Sequence, residues 1–227
     1  MKKYELTEET VTVYGKTLYR IRAVRDFGSV KTGEFGGYIE KEENLSHFGN
    51  AWVSGNAWVF DNARVYDDTW VYGNARVYDN AWVFGNAWVF GNARVCDDAW
   101  VCGNARVYDN AWVFGNAWVF GNARVYDDAW VCGDAKVYGD AWVSGNAEVF
   151  NTRHFFVQGP IGSRNGFITF YRTKDNTVEV RCGCFSGSLQ KFVDRVEETH
   201  GGSRYEKEYK LAAELAKVCI RLEGESR

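Results

Sequence analysis

From Gly49 to Phe150 the chain repeats one six-residue phrase 17 times without insertion or deletion, from GNAWVS and GNAWVF through DDTWVY to GNAEVF. So short and strict a period excludes an ordinary packing of separate helices and long strands. Each phrase is a small unit that buries its apolar face only against its neighbours. A hexad opens on two corner residues, Gly or Asp and then Asn or Asp, types that tolerate the left-handed backbone of a tight turn. Four extended residues follow, and in extended chain successive side chains point to opposite faces. The third and fifth residues therefore share one face, and the fourth and sixth share the other. Val fills the fifth position in all 17 hexads and Ala the third in 16, with Thr69 the exception. The fourth changes between Trp, Arg, Lys and Glu, and a narrow interior cannot hold unpaired charge. The Ala/Val face is thus inward.

An aliphatic residue followed four positions later by a small one (Val53 then Ala57, Val59 then Ala63) resembles the signature of the left-handed parallel β-helix. The resemblance implies three hexads per triangular coil, hence between five and six coils, stacked about 4.8 Å apart. The expected fold is an all-β solenoid of this kind over residues 37–150, with a small N-terminal β cap over 1–36 and a C-terminal α+β domain over 151–227. With that coil, Trp52, Trp70 and Trp88 stack on one face, Trp82, Trp100 and Trp118 on the second, and Trp112 and Trp130 on the third. Arg76 then neighbours Arg94, and Arg106 neighbours Arg124. The outward position also repeats every five hexads as Trp, Trp, Arg, Trp and Arg or Lys. Residues 73–102 and 103–132 differ only at Cys96 against Tyr126, which reads as tandem duplication of 30 residues. Five hexads do not divide by three, so each copy lands on different faces. A length-tolerant scaffold survives that; a site confined to one face does not.

The flanks read as ends. GYIEKE–ENLSHF (37–48) keeps the hexad frame in degenerate form, placing His47 at an inward Val-type position. Residues 1–36 hold two short strands around Gly15 that cover the first coil and protect its β edge. Beyond Asn151, FFVQG, FITFYRTK and TVEVRCGCF read as three strands joined by turns at GPIGSRNG and KDN. A helix follows from the N-cap Ser188, then a second with Tyr209, Ala212, Leu215 and Cys219 on one stripe. A unit of this size is marginal alone and is expected to dock on the last coil. The opening YELTEETVTVYGKTLYRIRAV, the GNA hexads and the tail GPIGSRNGFITFYRT…VRCGCFSGSL together resemble a group of phage, prophage and bacterial left-handed β-helix proteins. They are similar to the YdcK-type solenoids, often labelled hexapeptide-repeat or polymer-forming. The resemblance covers the whole chain; it implies an architecture and a bacterial host cell, and brings no established activity.

Charge and composition narrow the partners. The chain carries 27 basic and 30 acidic side chains, a net charge of -3. That balance gives no case for nucleic acid or a membrane surface; the hexads, at -6, would repel phosphates, and the +3 of residues 151–227 is too small to name a partner. No apolar run nears the ~20 residues of a membrane span, and MKKYELTEET is too polar for a secretory signal. Six cysteines without disulfide spacing suit a reducing cytoplasm. An acyltransferase-like enzyme, suggested by a distant likeness to hexapeptide acyltransferases, wants a His general base, and the array contains none. His154 and His200 lie outside it. No catalytic residue, cofactor or metal is therefore expected. Cys182 and Cys184 form a C-x-C on one strand face that would need two further ligands, His154 and His200, to hold a metal; buried thiols are the plainer account. Asp61, Asp79 and Asp97 stack on one edge, either solvated or attracting a cation.

The candidate binding residues are Ser163, Arg164, Asn165, Tyr171, Arg172 and Arg181, which offer charge or hydrogen bonds without an obvious core role. The turn that holds the first three lacks P-loop spacing. Trp52, Trp70, Trp88, Trp82, Trp100, Trp118, Trp112 and Trp130 form a candidate self-association surface, unless neighbouring rings and arginines shield one another. Three functions fit: a non-enzymatic scaffold that self-associates or presents its C-terminal domain to a protein partner; a phage-encoded effector that blocks a bacterial immune protein or sequesters its signal; and an acyltransferase-like enzyme. The expected partner is a protein or a second copy of the chain, with room for a small signalling ligand.

Overall fold

The computed structural model describes residues 2–223. Every hexad contributes one two-residue strand, from β4 (Trp52–Val53) to β20 (Glu148–Val149). Each pairs in parallel with the strand three hexads on, so Trp52 lies beside Trp70, Trp82 beside Trp100 and Trp112 beside Trp130. A coil is therefore 18 residues, and the chain makes a β-solenoid of about six turns with three parallel sheets as its faces. The third and fifth residues of every hexad are buried, Thr69 included.

The corner residues hold the coils together. The first takes positive φ, which suits Gly, and Asp stands there at φ 61° (Asp67), 56° (Asp97) and 56° (Asp127). Its carboxylate accepts the amide of the next coil's corner: Gly85 N to Asp67 at 3.0 Å, Gly115 N to Asp97 at 2.9 Å, Gly145 N to Asp127 at 3.1 Å. A charge-assisted hydrogen bond thus offsets the strain of a non-glycine residue there. The second corner residue builds amide ladders, as in Asn74 to Asn92 (3.1 Å) and Asn92 to Asn110 (3.0 Å).

Five and three share no factor. Stepping by three hexads through Trp-Trp-Arg-Trp-Arg therefore produces Trp-Trp-Trp-Arg-Arg on every face, phased differently on each. One face reads Trp52, Trp70, Trp88, Arg106, Arg124, Trp142, and another Arg64, Trp82, Trp100, Trp118, Lys136. The neighbouring arginines turn away from each other onto flanking rings. Arg106 covers Trp88 at 5.2 Å while Arg124 covers Trp142 at 4.7 Å; Arg76 covers Trp58 at 4.4 Å while Arg94 covers Trp112 at 5.4 Å. Trp82, Trp100 and Trp118 stack at 5.3 and 4.8 Å. Like-charge contact is thereby replaced by cation–π contact.

At the N-terminus β1 (Tyr4–Val13) and β2 (Lys16–Ala23) form an antiparallel hairpin that joins β3 (Phe35–Ile39) and through it one solenoid face. Here the expected frame is corrected. Ile39 pairs with Val59 and Leu45 with Val65, an offset of 20 residues instead of 18, so Leu45 takes the inward position assigned to His47. Two extra residues before Val53 absorb the difference. They leave the His47 ring stacked on Tyr4 at 4.3 Å, with its Nδ1 accepting from the Lys3 amide at 3.3 Å. The open backbone edge is closed by side chains: Asn44 Nδ2 donates to Ala63 O at 2.9 Å, Lys3 Nζ to Ala51 O at 2.7 Å, and the Tyr4 hydroxyl to Leu45 O at 2.7 Å. Trp52 lies fully buried under Tyr4 and Phe27 and so leaves the candidate self-association surface.

The C-terminal unit is a four-stranded antiparallel meander, β21 (Phe155–Ile161), β22 (Gly166–Arg172), β23 (Val178–Cys182) and β24 (Phe185–Ser188), followed by α1 (Leu189–His200) and α2 (Arg204–Cys219). The fourth strand is additional to the three expected; Ser188 ends it and caps α1, accepting from the Lys191 amide. Alternation along β22 makes it the hub. Ile168 and Phe170 pack toward the helices, while Tyr171 joins the solenoid core. The buried side of α2 is Tyr209, Ala212, Ala213 and Ala216. Leu215, expected on that stripe, faces outward, because Tyr209, Ala212, Ala213 and Ala216 centre the packed side more than about 100° around the helix from it.

Candidate functional site

The C-terminal unit is seated on the last coils by a dense seam. The Trp142 amide donates to Thr169 Oγ1 at 2.9 Å, and the Lys174 amide to Asn146 O at 3.0 Å. Cations of the unit continue the stacks of the solenoid: Lys174 lies 4.4 Å over Trp130, Arg172 5.2 Å over Phe150 and Arg181 5.2 Å over Tyr126. Arg172 is buried and pairs with Glu223 at 2.7 Å and Glu148 at 3.7 Å. Tyr171 is buried with its hydroxyl 3.3 Å from Ser144 Oγ, and burial pushes its phenol up to about 12. Burial and then the Arg172 charge hold His154 below the ordinary imidazole value, and its Nδ1 accepts from the Phe150 amide at 3.2 Å. Two of the six candidate binding residues are therefore docking residues of the seam: Tyr171 lies on the β22 face that meets the coil, and Arg172, on the opposite parity at the end of the strand, reaches Phe150 and Glu148.

Beside the seam the two units enclose a groove of about 590 Å³. Ser163, Arg164 and Arg181 line it, as do Arg124 and Trp142 from the solenoid, Phe167 from β22 and Arg195 and His200 from α1. Asn165, at φ 47° on the same turn as Ser163 and Arg164, is exposed and is absent from the lining. Four arginines face one acid, Asp140, which already accepts from Asn122 Nδ2 at 2.9 Å. Arg124 is held flat on Trp142, and Arg181 donates to Ser144 Oγ at 3.1 Å. Burial pushes up both the Cys182 thiol and the Tyr209 phenol at the groove's inner end, so the thiol stays protonated at neutral pH and is a poor nucleophile. Reading the sequence found three of these residues and missed Arg124, Phe167 and Arg195. Arg124 carries the same letter as every ladder arginine, and only the docked domain distinguishes it.

The C-x-C pair does not share a strand face. Cys182 ends β23, and Gly183 at φ 58° turns the chain before Cys184. Among the described residues one group of three possible ligands has its atoms within 4.8 Å, Asp79, Cys96 and Asp97. Its members are engaged: Asp79 accepts from the Asp97 amide at 3.4 Å, Asp97 from the Gly115 amide, and Cys96 Sγ from Trp112 Nε1 at 3.2 Å. Asp61 is paired with Lys16. Of the remaining candidate surface, Trp88 and Trp118 are the most exposed rings; Trp70, Trp82, Trp100, Trp112 and Trp130 are half-buried.

Residues 57–73, 71–85, 75–90, 99–115, 105–120 and 117–133 match the model of the YdcK beta solenoid repeat. No curated protein matches the chain. Repeat matches and a solenoid of about six turns together support a YdcK-like β-helix protein.

Proposed function

We propose that this YdcK-like protein is a non-enzymatic binding scaffold, in which residues 1–36 cap, 37–150 form a stiff arm, and 151–227 engage a protein partner. One observation carries the reading. The outer face of α2 presents Leu211, Leu215 and Val218, which are 70%, 46% and 79% exposed, at spacings of four and three residues. Three aliphatic side chains on one exposed stripe, on a helix whose other side is well packed, have the pattern of a helix-face interface. The Trp ladders support the second half of the earlier alternative, since stacking and Arg cover use up much of their surface. The two ends of the solenoid are capped, which disfavours growth by β-edge pairing. A phage-encoded effector would use the same α2 face against a host protein. An acyltransferase-like activity draws no support from the protonated thiol and phenol of the groove.

The test compares the full chain with a Leu211→Lys, Val218→Lys variant in sedimentation and in affinity capture from bacterial lysate. The expected result is a second copy or a stoichiometric protein held by the parent and lost by the variant, with circular dichroism unchanged. Identical sedimentation and capture for both chains would sink the reading.

A further inference from the structure

The groove beside the seam carries chemistry that a protein-docking helix does not need. We infer that it is a binding site for a nucleotide, with the phosphates among Arg164, Arg181 and Arg195 and the base stacked on Phe167. Three observations lead there. The first is shape: a concavity of about 590 Å³ between two units lies within the size range of small-molecule sites and is mostly apolar apart from a few converging polar groups.

The second is charge. A chain of net charge -3 gathers four arginines around one concavity, where they repel one another unless an anion is present. Among the described residues Arg124, Arg164 and Arg181 make no ion pair, and Arg195 has only its own helix neighbour Glu198 at 3.3 Å, on a largely exposed surface. Arg124 and Arg181 are positioned by rings and by the Ser144 hydroxyl, neutral partners that leave most guanidinium donors unspent. Arg181, fixed in this way, offers a fork of donors that matches a phosphate bidentately, with Arg164 and Arg195 lining the same groove.

The third is an unpaired ring. Phe167 is 41% exposed at the groove and stacks on no other ring among the described residues. It lies against Gly159, where an added Cβ would come within 2.6 Å of the ring, so a glycine is required beneath it. One face of Phe167 is thus supported and the other is open to a planar group. An acidic peptide would answer the charge alone, and a long polyanion would meet the net negative solenoid; a compact ligand carrying both phosphate and ring answers both features.

The experiment is calorimetry on the full chain with ADP, GDP, CDP and UDP, and separately with adenosine, inorganic pyrophosphate and a hexaglutamate peptide. At least one nucleoside diphosphate is expected to bind more tightly than pyrophosphate or any nucleoside, and more weakly as salt rises. Arg164→Ala, at an exposed position, should weaken it by about ten-fold or more. Phe167→Ser should weaken the nucleotide and leave pyrophosphate unchanged. The Leu211→Lys, Val218→Lys variant should bind it as the parent does, which separates this site from the α2 face. Absence of heat with all four nucleotides, nucleotide binding indifferent to both groove substitutions, or tighter binding of hexaglutamate would overturn the proposal.

Discussion

At the scale of single residues, the corner aspartates show how one letter serves two needs. Asp tolerates the left-handed backbone less well than Gly, but its carboxylate reaches the amide one coil on, which Gly cannot do. The tolerance is visible in the sequence; the reach appears only when coils are stacked. The same stacking places Asp79 between Asp61 and Asp97. Burial first, then those two charges, raise its carboxyl above the ordinary 3.8. A raised folded-state value means that the folded protein holds the proton more tightly than the unfolded chain. The resulting stability is present below pH 3.8 and is lost as pH rises through the folded value. Asp79→Asn should therefore raise the thermal midpoint at pH 7, with a gain that vanishes in acid below pH 3.8. Melting curves at the two pH values check this, and an equal gain at both would remove the electrostatic account.

At the scale of elements, identical hexads acquire different roles. Trp52 and Trp88 occupy the same position of the same phrase, yet one is sealed beneath Tyr4 and Phe27 and the other is among the most exposed rings. Trp52→Ala should cost about 3–5 kcal/mol, the range for emptying a large aromatic site, and Trp88→Ser within about 0.5–1 kcal/mol plus its cation–π contact to Arg106. Urea titration of the two variants measures both, and equal losses would contradict the burial difference. The hexad interior was legible because Ala and Val alternate without exception of face. The first coil was not, because Leu45 and His47 sit two apart, share one parity and so both fit an inward alternation; the two-residue offset emerged only from pairing with Val65. On α2, periodicity named Tyr209 and Ala212 correctly and misplaced Leu215, since Ala213 and Ala216, small enough to be overlooked, draw the centre of the inner face away from it.

For the whole molecule, the coprime periods have a consequence for length. Removing residues 73–102 deletes five hexads, one and two-thirds coils, and leaves the five-hexad order of the outward position intact. The shortened array has four positions on each face, reading Trp-Trp-Trp-Lys, Trp-Arg-Arg-Trp and Arg-Trp-Trp-Glu, and every new coil meets Ala and Val as before. The deletion should fold cooperatively and shorten the particle by about 8 Å at ~4.8 Å per coil, readable by small-angle scattering with circular dichroism. Collapse of the β signal would show that the coils are not interchangeable.

Sequence alone determined the hexad, its corner and its inward face, because these rest on contacts between near neighbours and a strict repeat writes such contacts many times over. The 18-residue coil and the membership of the Trp stacks came with the resemblance to left-handed β-helices, and the pairing of Trp52 with Trp70 and of Trp82 with Trp100 bears them out. Tertiary structure decided the groove. Arg124, Arg164, Arg181 and Arg195 stand far apart along the chain and meet only when β22 turns one face to the helices and the other to the last coil. That choice also buries Tyr171 and Arg172 while leaving Arg181 at the groove. Alternation along a strand separates its two faces, but which of them meets solvent depends on what docks against it, and docking leaves no period to read.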